Sequence, residues 1–308
     1  MKIAVMGSGG VGGFFGGHLA RVGHDVRFVA RGAHLQAMRQ QGLKISSAAH
    51  GDVHLPQVTV TDDPATIGPV DLILIAVKLW DLDATALAIK PLVRSHTAVL
   101  SLQNGVVKDD VLRRHFGDAA VMGGVAYVAT RVAEPGIIEQ TGNLQRLIVG
   151  EYDGSPSQRA QTLLDGLLRA GIDAARSPDI RLTLWEKYVF LVGLSGSTAT
   201  MRSPIGAIRS NARTRAFLFD LMQETVAVGR ALGVNLPSDY AEQRLAFADS
   251  LAPDMTSSLH HDLERGNRLE VEWLSGGVVT LGEQVGVPTP ANRAVWSVLA
   301  LHEHGRGD

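Results

Sequence analysis

Met1-Lys2-Ile3-Ala4-Val5-Met6-Gly7-Ser8-Gly9-Gly10-Val11-Gly12 opens the chain, and its reading decides the fold. Residues 3–6 form an apolar run of strand length, and residues 14–22 carry a helical pattern. Between them Gly7, Gly9 and Gly12 stand as G-x-G-x-x-G. Strand, turn and helix in that order are the context a dinucleotide fingerprint requires. The first glycine makes the tight turn, the second lets the backbone approach a pyrophosphate, and the third lets helix and strand pack closely. Free N–H groups at the helix start, with the positive end of its dipole, then attract phosphate. The loop Gly7, Ser8, Gly9, Gly10, Val11 and Gly12 is therefore expected to hold a dinucleotide. The bland alternative is a ligand-free glycine turn, in a chain with 34 glycines.

The second strand, Asp25-Val26-Arg27-Phe28-Val29-Ala30-Arg31, bears on which dinucleotide. An NAD site carries Asp or Glu about 20 residues past the glycines, to accept from the ribose 2′-hydroxyl. Here that distance falls on Ala30-Arg31-Gly32, and Asp25 lies at the wrong end of the strand. A carboxylate would repel a 2′-phosphate, whereas a guanidinium pairs with it. NADP(H) is expected, read by Arg31. The alternative for Arg31 is an ordinary solvated loop residue.

Alternation of strands and helices continues outward from the fingerprint. Strand signals fall at 26–30, 58–61, 72–77, 98–102, 120–127, 137–140 and 147–150, with helical patterns at 33–41, 82–93, 108–116 and 155–170, Ser155 capping the last. The run Leu-Ile-Leu-Ile-Ala-Val at 72–77 is apolar throughout, as suits a strand covered on both faces. Beyond about residue 179 strand signals cease. Helical patterns follow at 180–199, 213–232, 239–250, 259–266 and 269–285, punctuated by Pro237, Pro253, Pro288 and Pro290. The expected fold is α/β: an N-terminal Rossmann-type doubly wound parallel sheet over 1–178 and an all-helical C-terminal domain over 179–308. The tail His302-Glu303-His304-Gly305 reads as a frayed end.

Composition bounds the function. The 308 residues have a net charge of −2, which makes no electrostatic case for nucleic acid. With no cysteine, disulfides, a thiolate nucleophile and Cys-ligated zinc are excluded. No apolar run approaches the roughly 20 residues that span a bilayer. With the fingerprint inside the first ten residues, no cleavable leader is expected, and the location is expected to be cytoplasmic. No metal site is expected. His260-His261 are neighbours on different helix faces, and Asp109-Asp110 read as helix-start acids that favour the dipole. Apolar helices such as 213–232 could make a homodimer contact or fill the core.

Lys187 stands out by periodicity. Its neighbours at three and four residues are Thr183, Leu184, Phe190 and Leu191, so the amine sits on a largely apolar stripe. Partial desolvation there favours proton transfer. The alternative is a lysine that snorkels to water. Gly193, Ser195, Gly196 and Ser197 on the same pattern suit either close approach of a ligand or tight helix packing. Glu270, with helical neighbours Gly266, Asn267, Trp273 and Leu274, could orient a substrate or the lysine, or be a solvated glutamate. Asn104 follows the strand at 98–102, and Lys78 the strand at 72–77. Ligands of open α/β sheets bind at such strand ends.

These residues together resemble the ketopantoate reductase (2-dehydropantoate 2-reductase) family over nearly the whole chain. The resemblance rests on Gly7-x-Gly9-x-x-Gly12, Arg31, Val77-Lys78, Gln103-Asn104-Gly105 and Trp185-Glu186-Lys187. It continues through Ser257-Ser258-Leu259-His260-His261-Asp262 to Glu270. It implies NADPH and reduction of a 2-keto acid to a 2-hydroxy acid. By the same resemblance Lys187 is the general acid and Glu270 orients substrate or lysine. Asn104 contacts nicotinamide and substrate, Ser258 a substrate carboxylate or hydroxyl, and Lys78 the 2′-phosphate beside Arg31.

The chain also departs from that pattern. Ketopantoate-type members carry asparagines where this chain has Leu191, Ser195, Ile205 and Met255. Losing hydrogen-bonding groups removes selectivity for polar substrate groups, so the expected substrate is ketopantoate, a bulkier or less polar 2-keto acid, or another carbonyl compound. Two other readings stay open: a non-catalytic NADP-binding sensor on the same scaffold, and a related 3-hydroxy acid or opine-type dehydrogenase.

Overall fold

A computed structural model describes residues 1–306. The chain divides into two compact units: Met1–Asn104 with Lys108–Ile180, and Gly105–Val107 with Arg181–Asp308. Each encloses its own apolar core.

The first unit begins β1 (Lys2–Met6), α1 (Gly10–Arg21), β2 (Asp25–Val29), α2 (Gly32–Gln41), β3 (Leu43–Ser47), β4 (Val53–Leu55) and β5 (Thr59–Thr61). It continues β6 (Leu72–Ile75), α3 (Leu82–Ala88), β7 (Ala98–Ser101), α4 (Lys108–Phe116), β8 (Val121–Glu134), β9 (Ile137–Gly150), α5 (Gln158–Arg169) and β10 (Asp173–Arg176). The strands make one sheet in the order β4-β3-β9-β8-β7-β6-β1-β2-β5, with β10 beside β9. From β5 to β8 every pairing is parallel. The order reverses at β1, whose carboxyl end carries the fingerprint, and ligands of such sheets bind at that switch point. All four residues of β6 are buried between β1 and β7, as a parallel strand covered on both faces requires.

The doubly wound reading therefore holds for the parallel part, and the structure adds an antiparallel one. β8 and β9 form a long hairpin, paired from Gly123↔Gly150 to Glu134↔Ile137 with a register shift at Val128/Ala129. Residues 137–140 and 147–150 are one strand, not two. Their polar link, Thr141 to Asn143, is exposed, so no apolar alternation marks it. β3, β4 and β10 are short strands on the β9 side of the sheet that periodicity does not predict. The cap of α5 is Ser157, which accepts from Ala160 N–H, rather than Ser155.

The second unit is helical: α6 (Ile180–Met201), α7 (Ile205–Ser210), α8 (Ala212–Ala231), α9 (Tyr240–Ser250), α10 (Ser258–Arg265), α11 (Ser275–Val285) and α12 (Pro290–Leu299). Three differences from the sequence reading have local causes. Pro290 begins α12 rather than merely ending what precedes it, since proline suits the first helical turn. The helix expected over 269–285 begins only at Ser275, because residues 271–274 form a turn, so no helix covers Leu269 to Leu274. The tail is tied down, not frayed: Leu269 N–H donates to the Glu303 carbonyl (2.8 Å) and Arg306 N–H to the Gly266 carbonyl (2.8 Å). Among the described residues, no helix is long and apolar enough to cross a membrane.

Candidate cofactor and catalytic sites

Gly7 follows β1 at φ 87°, where a side chain would be strained, and a Cβ there would lie 2.8 Å from Val77 N. A Cβ on Gly12 would lie 2.2 Å from the Gly7 carbonyl oxygen, so only glycine lets α1 start this close to the turn. At Gly9 a Cβ would meet nothing within 4 Å. The two crowded glycines shape the loop, and the middle one faces open space. Gly9 also caps α1 without a side-chain partner, its carbonyl accepting from Gly13 N–H at 2.7 Å. The first-turn N–H groups of a helix have no intrahelical acceptor, and with the dipole they attract an anion. The loop thus has the shape and the donors that a dinucleotide pyrophosphate needs.

The other residues of the loop are not equivalent. Ser8 is buried, and its N–H and hydroxyl both donate to the Val29 carbonyl at 3.0 Å, so its polar groups serve the loop's own structure. Gly10 is small because a Cβ would lie 2.8 Å from the Thr130 carbonyl. Val11 is half-buried.

Arg31 is the N-cap residue of α2, directly after β2. It is exposed, and its guanidinium has no hydrogen bond or ion pair among the described residues. No acid stands in the first turn of α2. Lys78 follows β6, exposed, with its ammonium 5.6 Å from the Trp80 ring centre. Asn104, half-buried, closes the loop after β7.

Two neighbouring groups escape a reading by periodicity. Gln103 Nε2 donates to the Val77 carbonyl (2.8 Å) while its Oε1 accepts from Ser101 Oγ (2.9 Å). One side chain therefore ties the ends of β6 and β7 together, just before Lys78 and Asn104. Lys108 is fully buried, donating to the Ser101 carbonyl (3.0 Å) and lying 3.2 Å from Asp109 Oδ2. Tyr152 donates to the same carboxylate at 2.5 Å, and burial followed by the Asp109 charge pushes the Tyr152 phenol well above its ordinary range. Asp109 stands in the first turn of α4, as expected, and is also the buried counter-ion of Lys108. Asp110 is the exposed one, paired with Arg113 at 2.7 Å. A lysine among apolar residues beside an acid is the one signal that could have found this pair.

In the second unit Lys187 lies mid-way along α6, half-buried, with Leu184 and Leu194 buried on its stripe and Thr183, Phe190 and Leu191 partly so. Tyr188, the next residue, is fully buried and donates to the Leu274 carbonyl at 2.7 Å, which fixes the register of α6 against the 271–274 turn. Burial pushes the Tyr188 phenol above its ordinary range.

Glu270 stands at the entrance to that turn, not on a helix. Its carbonyl accepts from Trp273 and Leu274 N–H, both at 3.2 Å. The helical neighbours expected for it do not apply, although the residue is half-buried as a functional carboxylate would be. Ser258 is exposed at the start of α10, while Ser257 caps that helix and bonds to Thr198 Oγ1 at 2.9 Å.

The small residues of α6 serve packing: a Cβ on Gly193 would lie 2.5 Å from Met222 Cγ, and one on Gly196 3.1 Å from Leu221 Cδ1. Of the departing positions, Ile205 is fully buried and Leu191 partly, whereas Met255 is exposed. Ser195 is fully buried with no hydrogen-bond partner for its hydroxyl among the described residues. Ile205 N–H donates to the Met255 carbonyl at 2.9 Å, so these two positions are adjacent. His260 bonds to the Thr198 carbonyl (2.8 Å) and to Glu264 (3.2 Å), and no group of three metal-ligating side chains occurs among the described residues.

Both halves of the chain match a described family. The profile Ketopantoate reductase PanE/ApbA covers residues 3–154, and its C-terminal counterpart covers 179–303. A 2-dehydropantoate 2-reductase from Mesorhizobium japonicum is 31% identical, over 97% of this chain and 97% of the relative. A PanE/ApbA family ketopantoate reductase from Ralstonia eutropha superposes with a TM-score of 0.89 at 36% identity, covering 98% of each chain. A 2-dehydropantoate 2-reductase from Geobacter metallireducens gives 0.90 at 30% identity, over 98% of this chain and 99% of its own.

Proposed function

This chain belongs to the ketopantoate reductase family of oxidoreductases, and we propose that it reduces a 2-keto acid to the 2-hydroxy acid with NADPH. The observation that carries this reading is the fingerprint loop: open backbone at Gly9 between the crowded Gly7 and Gly12. In this reading residues 1–178 hold the cofactor and residues 179–308 supply the proton donor.

When bound, the reduced nicotinamide supplies the hydride. The chain does the rest. Backbone N–H groups of residues 9–12 bind the pyrophosphate. Arg31 pairs with the 2′-phosphate, with Lys78 adding charge, and the exposed guanidinium without an adjoining acid supports that choice. Lys187 hydrogen-bonds the keto oxygen and passes it a proton as the carbonyl carbon becomes tetrahedral. Its positive charge stabilises the oxygen as negative charge develops there. The half-buried setting of Lys187 supports this role, since desolvation eases loss of its proton. Glu270 orients the lysine or the substrate, Asn104 the nicotinamide and the substrate, and Ser258 binds a carboxylate or hydroxyl.

The substrate is ketopantoate or a 2-keto acid with a less polar tail. Leu191, Ile205 and Met255 stand where hydrogen-bonding groups would select polar tails, and their loss relaxes that selection. The test is NADPH oxidation against a panel of 2-keto acids of graded tail polarity. Turnover of ketopantoate or of a 2-keto acid with a less polar tail is the expected result. Tight NADPH binding without turnover on any 2-keto acid would refute the reading.

A further inference from the structure

We propose that His34 is a positioning residue for the cofactor, holding the Ser8–Gly9 peptide of the glycine loop in its binding orientation from a brace on the β8–β9 hairpin. The inference rests on the reading that residues 7–12 receive a dinucleotide.

His34 lies in the first turns of α2, half-buried, and both its ring nitrogens are engaged. Gly136 N–H donates to Nδ1 at 3.0 Å, so Nδ1 carries no proton. Nε2 lies 2.8 Å from the Ser8 carbonyl oxygen, which can only accept, so Nε2 carries the proton. Together the two bonds specify a neutral imidazole in a single tautomer. The ring is a rigid bridge from the Ser8 carbonyl to Gly136, which lies 102 residues from His34 in sequence.

What the bridge controls follows from peptide geometry. A trans peptide is planar, with its C=O and N–H pointing in opposite directions. Holding the Ser8 carbonyl toward His34 therefore sets the direction of Gly9 N–H on the other side of the same plane. Gly9 is the residue whose surroundings are open. The remaining polar groups of Ser8, its N–H and hydroxyl, are both given to Val29. Among the described residues no other hydrogen bond reaches the Ser8 carbonyl, so the imidazole is the group that holds that carbonyl in place.

The far end of the brace is firm. Gly136 sits at the hairpin tip at φ 81°, and its carbonyl accepts from Lys44 N–H at 2.9 Å, which ties the tip to β3. The hairpin also lies over the start of α1, with the Thr130 carbonyl where a Gly10 side chain would be. The long antiparallel excursion of β8 and β9, which a nucleotide-binding sheet does not require, thereby acquires a role as the loop's support.

The test compares His34→Ala and His34→Gln in the full chain by fluorescence titration with NADPH, steady-state kinetics and thermal unfolding. Loss of two partly buried hydrogen bonds predicts that His34→Ala raises Kd and KM for NADPH about tenfold, with kcat at saturating NADPH unchanged. Glutamine presents an acceptor and a donor across one carbon, as imidazole does, and is expected to restore most of the affinity. Wild-type-like NADPH affinity in His34→Ala would overturn the inference. So would a fall of kcat and stability together that glutamine does not rescue, which would mark an ordinary structural residue. A wild-type protein that binds no NADPH would instead overturn the cofactor reading itself, and this inference with it.

Discussion

Two glycine-to-alanine substitutions, Gly12→Ala and Gly9→Ala, separate folding from binding within one motif. The Gly12 methyl would lie 2.2 Å from the Gly7 carbonyl oxygen, about an ångström inside ordinary van der Waals contact. Both partners are backbone, so relief requires α1 to move against β1. Overpacking of this kind costs about 3 kcal/mol, and for a unit of this size that lowers Tm by about 6–12 °C. At Gly9 the methyl has open space and φ is −72°, which alanine adopts freely. Replacing an N-cap glycine by alanine costs about 0.5–1 kcal/mol. Reduced freedom of the unfolded chain returns about 0.4–1 kcal/mol, so apo stability should barely change. In the proposed cofactor site the same methyl would meet the pyrophosphate, and Kd for NADPH should rise by more than about tenfold. Calorimetry of the apo proteins and NADPH titration measure both quantities. A Gly9→Ala protein that is destabilised yet binds NADPH normally would refute the assignment of these roles, as would a Gly12→Ala protein of unchanged Tm.

Four further outcomes follow from particular residues. Lys187→Ala should lower kcat by about 10²- to 10⁴-fold, the usual contribution of a general acid, with NADPH affinity unmoved; survival of activity would exclude it as the proton donor. Arg31→Ala should weaken NADPH about tenfold and leave NADH unaffected, and an unmoved ratio of the two affinities in titration would reject the 2′-phosphate assignment. Asp109→Ala leaves Lys108 buried without its counter-ion and should destabilise by about 3–5 kcal/mol, read from denaturant unfolding. His18 is held down to about 4, first by burial and then by Arg21 and His50. Because the unfolded state takes up the proton first, stability should fall on acidification between about pH 6.5 and 4, and His18→Leu should flatten that fall in denaturant titrations run across the range.

The sequence was most legible where one local cause dominated. Residues 3–6 and 72–75 form buried strands because an unbroken apolar run of that length has few alternatives, and the spacing of Gly7, Gly9 and Gly12 needed only the turn that follows β1. The apolar stripe around Lys187 is legible because helical periodicity places its neighbours correctly when the helix is regular, and α6 is. The helical neighbours expected for Glu270 do not form, because the helix expected over 269–285 starts only at Ser275 and a turn at 271–274 precedes it. The exposed middle of β9 was missed because hydrogen bonds to β8, not side-chain burial, hold it extended. The contacts of Gln103, Lys108 and His34 could not be read from the sequence, since each acts through partners distant in the chain or through backbone carbonyls that have no sequence identity.

The amino-acid order by itself determined the division into an alternating α/β part and a helical part, the glycine loop and the lysine on an apolar stripe. Those properties follow from spacing along one segment, where each turn or strand repeats with a fixed period. Only the tertiary structure decided which side chains brace that loop, where the tail is pinned, and that Asp109 is the buried counter-ion of Lys108. Such arrangements depend on the closure of hydrogen bonds between residues tens of positions apart, and no local period encodes which distant carbonyl will meet which donor.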